Sequence, residues 1–89
     1  MYSVEVRRKV IEFIDSLPNS NLIRNKIRDL QKFKGKERLN LDIEKIRGAK
    51  KNQELFRLRI GEIRFIFQVL KSEKIIWIKA ADYRGRIYK

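Results

Sequence analysis

The stretch FRLRIGEIRF, residues 56–65, decides the fold, because it reads as two short strands joined by a turn. With period two, Phe56, Leu58 and Ile60 fall on one face of the first strand, with Arg57 and Arg59 on the other. Ile63, Phe65, Phe67 and Val69 then line one face of the next strand, with Arg64 opposite them. Gly61-Glu62 stands between as a two-residue turn, the glycine supplying the positive φ of a type II′ hairpin. This register sets Ile60 against Ile63 and Arg59 against Arg64. Like charges directly opposite in a hairpin are destabilising, so gathering Arg57, Arg59 and Arg64 on one face has a cost that calls for a reason.

Working outward, the spacing predicts strands over 55–60, 63–71 and 74–80, with Ser72-Glu73 as a second hairpin turn. Short turns make consecutive strands antiparallel. The closing RGRIYK offers at most a short edge strand. Upstream, YSVEV alternates as a first strand, and from Arg7 the period changes. Val10, Phe13, Ile14 and Leu17 form a helical stripe that Leu17-Pro18 stops. Asn19 or Ser20 can cap a second helix carrying Ile23, Ile27, Leu30 and Phe33 or Lys34, which Gly35 ends. Residues 36–54 read as a packed connection anchored by Leu39, Leu41, Ile43 and Ile46, with a short extended or helical turn. Within it DIEK, residues 42–45, suits a helical turn with surface pairing at i,i+3. Gly48 and the basic AKKN lead into the sheet. The expected fold is α+β, a single domain over 1–89: an N-terminal strand, a helical hairpin, then an antiparallel meander with the helices on one sheet face and the other face open.

Composition narrows the function. The chain has 89 residues, 43% of them hydrophobic, which suffices for one packed core. Its apolar runs are strand-sized, and MYSVEVRRKV puts charges where a signal peptide would be apolar, so a cytoplasmic protein with no membrane partner is expected. Cysteine and histidine are both absent, which removes thiolate nucleophiles, imidazole acid/base chemistry and the commonest metal ligands. Any catalysis must use Lys, Arg, Tyr or carboxylates. Lys and Arg number 23 against 11 Asp and Glu, a net charge of +12, and so large an excess points to RNA, DNA or an acidic protein. The bland alternative is the charged surface of a heat-adapted protein.

The arginines admit two readings. An open sheet face must be polar, and long side chains could hold Arg59 and Arg64 apart while Glu54 or Glu62 neutralises them. Against this, no alternating acid falls in the central positions, and an anion over the hairpin would turn repulsion into a phosphate clamp. Trp77 shares the alternation of Lys79 and reads as half-buried packing or as a base-stacking surface, and Tyr83 as a second platform or a rim aromatic. Arg7 to Lys9 and Lys34 to Arg38 are solvated charge or RNA contacts. Asp42, Glu44 and Glu54 lack metal-ligand spacing, so neither a metal site nor a cofactor is expected.

ELFRLRIGEIRFIFQV followed by KIIWIKAADYRGRIYK resembles the C-terminal half of the RelE toxins, within the RelE/ParE superfamily of toxin–antitoxin toxins. The initial strand, the SLPNS corner and the KIRG before the sheet extend the resemblance over nearly the whole chain, and the short ending looks most like archaeal members. The resemblance implies an mRNA interferase, a ribosome-dependent endoribonuclease, restrained by a RelB-type antitoxin in a hetero-oligomer. It places catalytic groups on Arg57, Arg59, Arg64, Arg84 and Tyr88; beside it, charge and aromatic character make Lys50, Lys51, Lys79, Tyr83 and Arg86 the expected RNA-binding residues, with Lys79 or Lys50 as a candidate base whose charge the surrounding cations would disfavour. Some members carry lysines where Arg57 and Arg59 stand, and a histidine near the late arginine, where this chain reads ADYRG. A gyrase-poisoning toxin of the ParE branch and a non-catalytic RNA-binding module are the competing readings.

Overall fold

The computed structural model describes residues 2–33, 41–46 and 54–83. Its centre is the expected hairpin. Strand β3 (Glu54–Ile60) pairs antiparallel with β4 (Ile63–Leu70), Ile60 opposite Ile63 and Arg59 opposite Arg64. Gly61 takes φ 60, and among the described residues Lys74 is the one non-glycine with positive φ, so Glu62 completes a type II′ turn. Strand β5 (Ile75–Tyr83) continues the meander beside β4. The second turn differs from expectation. It is a loop over 71–74 rather than Ser72-Glu73 alone, closed by the Lys74 N–H donating to the Lys71 carbonyl at 3.2 Å, with Lys74 at φ 56.

Strand β1 (Ser3–Val6) adds to the far side of β5 in parallel, with Val4 beside Ile76 and Val6 beside Ile78. The other edge is a strand where a turn was expected. DIEK forms β2 (Asp42–Lys45), antiparallel to β3, which completes a five-stranded mixed sheet of order β1-β5-β4-β3-β2. Pairing with β3 overrides the helical spacing, because Ile43 can reach the core only if its neighbours Asp42 and Glu44 face away.

Helix α1 (Arg8–Asp15) buries Val10 and Ile14, and the Ser16 hydroxyl donates to the Phe13 carbonyl at its end. Helix α2 (Ser20–Arg28) buries Ile23 and Ile27 and runs into a 3₁₀ turn, Asp29–Lys32, that carries Leu30 inward. Asn19 is the N-cap residue, without a side-chain capping bond. An ion pair between Arg24 and Asp15 joins the two helices. No helix among the described residues is long and apolar enough to cross a membrane.

The core lies between the helices and one sheet face, where Leu58, Phe65, Phe67, Ile76 and Ile78 are inaccessible to solvent. Phe33 leaves the 3₁₀ turn to meet Phe56 and Phe67 edge-on, with ring centroids 5.1 and 5.6 Å away, and those two rings stack at 5.4 Å. This cluster ties the helical layer to β3 and β4. Phe67→Ala removes the ring that contacts both partners and is expected to cost about 3–5 kcal/mol of folding free energy, read from urea unfolding.

Candidate nucleic-acid interface

The sheet face away from the helices carries the charged cluster. Arg57 and Arg59 project from β3 and Arg64 from β4, on the side opposite Phe56, Leu58, Ile60, Ile63 and Phe65, which are buried. Arg59 and Arg64 are direct cross-strand partners, so the like-charge juxtaposition expected from the hairpin is present.

The compensation comes from residues that sequence reasoning set aside. Asp42 stands opposite Arg59 and Glu44 opposite Arg57 in the β2–β3 register. Arg59 directs Nε and Nη2 at one Asp42 oxygen, Oδ2, at 2.8 and 2.7 Å. Arg57 Nη2 meets Glu44 Oε2 at 2.8 Å. The expectation that no alternating acid falls on this face is therefore overturned: β2 supplies the acids from the next strand. Glu54, a suggested neutraliser, instead pairs with Lys71 at 3.1 Å, and Glu62 is exposed in the turn.

A third acid arrives through a bulge. The β4–β5 register slips between Ile66 and Phe67, which face Ala80 and Ile78, so Lys79 is the extra residue of β5. Beyond the slip the alternation of β5 is inverted. Asp82 thereby comes opposite Arg64, while Ala81 and Tyr83 pack against the core. Tyr83 meets Phe13 of α1 edge-on at 5.5 Å, and its backbone N–H donates to Asp82 Oδ1 at 2.7 Å. Tyr83 is thus turned to the helical side, away from the arginines with which sequence reasoning grouped it. Trp77 is half-buried on the open face, between Gln68 of β4 and Glu5 of β1.

Of the remaining candidates, Lys50, Lys51, Arg84, Arg86 and Tyr88 lie outside the described residues. The structure brings together Arg57, Arg59 and Arg64, sets Lys79 at the bulge, and adds Asp42, Glu44 and Asp82. The alternation of Leu41 and Ile43 with Asp42 and Glu44 was the one signal that could have found the β2 acids. Chemically, the face is a row of guanidinium groups with carboxylates on both flanks, able to grip anions without acting as a ready proton donor or acceptor.

A small α+β domain with a helical hairpin under one sheet face and an arginine cluster on the other is the class that fold and site define. No family model matches the chain. The chain is 30% identical to RelE1 of Methanocaldococcus jannaschii, a protein named as a toxin, over 99% of its own length and 96% of that protein's. Among solved structures it is similar to the archaeal RelE–RelB complex from Pyrococcus horikoshii OT3, with TM-score 0.75 and 30% identity over 96% of this chain and 97% of that one. The isolated E. coli RelE toxin shares the fold at 15% identity, with TM-score 0.66 over 99% of this chain and 92% of that one. The chain belongs to the RelE toxin family.

The ion pairs between β2 and β3 are solvent-exposed, with Arg59 and Asp42 side chains 44% and 50% accessible. Exposed pairs contribute little. Asp42→Asn is accordingly expected to lower stability by at most about 1 kcal/mol in dilute buffer. The difference should shrink toward zero near about 0.5 M salt, as screening also weakens the Arg59–Arg64 repulsion. Paired urea titrations at the two salt concentrations measure both values.

Proposed function

We propose that this protein is the toxin of a type II toxin–antitoxin system and a ribosome-dependent mRNA endoribonuclease. The observation that carries the reading is the placement of Arg57, Arg59 and Arg64 together on the sheet face away from the helices, Arg59 directly opposite Arg64. Family membership supplies the toxin assignment. Net charge +12 favours an RNA-rich partner such as the ribosome.

The reaction such a site suits is cleavage by the message's own 2′-hydroxyl. The 2′-oxygen attacks phosphorus in line, the new O–P bond forms, and the bond to the 5′-oxygen breaks, leaving a 2′,3′-cyclic phosphate and a 5′-hydroxyl. Negative charge builds on the non-bridging oxygens of the five-coordinate phosphorus. Guanidinium groups fixed on strands stabilise that charge and hold the attacking geometry, the contribution that usually dominates such catalysis. The 2′-proton must leave and the 5′-oxygen must gain one. Lys79 or Lys50 is assigned as the base, Arg84 as the group at the leaving oxygen, and Tyr88 as a stacking or proton-holding group, with Lys51 and Arg86 gripping flanking phosphates. The roles of Arg84 and Tyr88 extend the RelE resemblance, and those of the lysines and Arg86 rest on their charge.

A RelB-type antitoxin is the proposed partner, in a toxin–antitoxin hetero-oligomer. The similar Pyrococcus horikoshii structure, a RelE–RelB complex, supports it. An acid-bearing amphipathic segment would combine apolar grip with charge complementarity to this basic chain.

Purified protein is incubated with programmed ribosomes carrying an open reading frame, and message ends are mapped by primer extension. New ends within codons are the expected result, the downstream fragment beginning with a 5′-hydroxyl and the upstream fragment ending in a cyclic phosphate. Arg64→Ala should lower the cutting rate by about 10²–10³-fold with the circular dichroism unchanged, the size of effect for losing one charged transition-state stabiliser. An intact message with gyrase stalled on DNA would move the protein to the ParE branch. RNA binding without either activity would make it a binding module.

A further inference from the structure

Strand β2 does more than close one side of the sheet. Among the described residues it is an edge strand, paired with β3 alone, and its two outward carboxylates sit on the guanidinium groups that the proposed function gives to RNA. The geometry is that of an anion already bound. Arg59 offers Nε and Nη2, the edge that grips a phosphate in forked fashion, and both meet Asp42 Oδ2 at 2.8 and 2.7 Å. Arg57 gives Nη2 to Glu44 Oε2 at 2.8 Å. A hollow of about 340 Å³, lined by Glu44, Lys45, Ile46 and Arg57, opens beside this second pair. The volume is in the range of small-ligand sites, so a nucleotide can stand next to the carboxylate that it would replace.

We propose that Asp42 and Glu44 are exchangeable counter-ions of the RNA-binding arginines. In the free protein they occupy the guanidinium edges, and phosphodiester groups of a single-stranded RNA take those edges over on binding. The inference rests on the reading of Arg57 and Arg59 as phosphate-binding groups and goes beyond it by giving two acids a role in setting affinity.

Three features make the exchange feasible. The pairs are exposed, Glu44 at 68% and Asp42 at 50%, so a released carboxylate returns to water without a burial penalty. Each acid is anchored through β2, so it moves aside by rotating its own side chain and need not unpair the strand. The guanidiniums stay on β3 between buried neighbours Phe56, Leu58 and Ile60, so their positions are retained in either state. The consequence is selectivity. A lone phosphate meets a site already neutralised, whereas a strand that contacts several cations at once can displace both carboxylates together.

The test measures binding apart from cleavage, using a fluorescein-labelled single-stranded RNA with 2′-O-methyl sugars, which cannot attack its own phosphates. Asp42→Asn and Glu44→Gln keep the side-chain shape and are compared with Glu73→Gln, which removes the same charge from the exposed loop over 71–74. Each β2 variant should bind about two- to fivefold more tightly than that control, the range expected for freeing a cation from an exposed pair. The slope of log K against log salt should stay the same, because the same phosphates are neutralised with or without the carboxylate. Tighter binding should not follow from a purely structural role of β2, whose loss would loosen binding. If Arg57→Ala and Arg59→Ala weaken binding while the β2 variants merely match Glu73→Gln, the exchange is wrong and the phosphate-binding reading stands. If those arginine variants leave affinity unchanged, both are wrong.

Discussion

The register of the β3–β4 hairpin is the constraint from which the rest follows. Gly61 at φ 60 permits the two-residue turn, and the turn sets Ile60 against Ile63 and Leu58 against Phe65. All of these are buried, so a slip of one residue would expose the whole apolar set. The same turn leaves Arg59 no choice but to face Arg64. The arginine cluster is therefore held in place by hydrophobic burial on the reverse of the sheet, and the repulsion within it is tolerated because that burial is much larger.

The strands that flank the hairpin then supply its charge balance. A guanidinium pair directly opposed on a bare ribbon would be unfavourable, and both neighbours bring acids: β2 places Asp42 and Glu44 beside Arg59 and Arg57, and the bulge in β5 places Asp82 opposite Arg64. The charge of this face is thus locally mixed although the chain as a whole is strongly basic. Long-range attraction to a polyanion comes from the whole molecule, and the fine balance on the sheet governs what happens at contact. Those are separable properties. A basic protein can reach RNA quickly and still discriminate once there.

How much of this was legible in sequence depends on where each residue's partners lie. The hairpin could be read because both of its faces are extreme, buried hydrophobics against arginines, and because the turn is local. The helices could be read because Val10, Ile14, Ile23 and Ile27 keep a helical period. Strand β2 could not. Asp42 and Lys45 are three apart, as in a helical turn, while Leu41 and Ile43 alternate as in a strand, and so short a segment fits both periods. Only the neighbouring strand breaks the tie. The bulge at Lys79 was equally hidden, since a slip in register belongs to two strands at once. Its effect was not small: it exchanged the faces of Tyr83 and Asp82, removing an aromatic from the open surface and adding an acid.

The absence of histidine shapes how such a face could work. Guanidinium groups remain charged throughout the physiological range, so they stabilise developing negative charge but are poor carriers of protons. On the proposed reading, most of the rate enhancement then comes from holding and neutralising the phosphorus centre, and proton movement is left to lysine, tyrosine or the RNA's own surroundings. A site of that kind has little means of activating an unpositioned substrate. It works best on a strand whose 2′-oxygen and leaving oxygen are already brought into line by something larger, which is the physical reason a domain this small would act on message held in a ribosome rather than on free RNA.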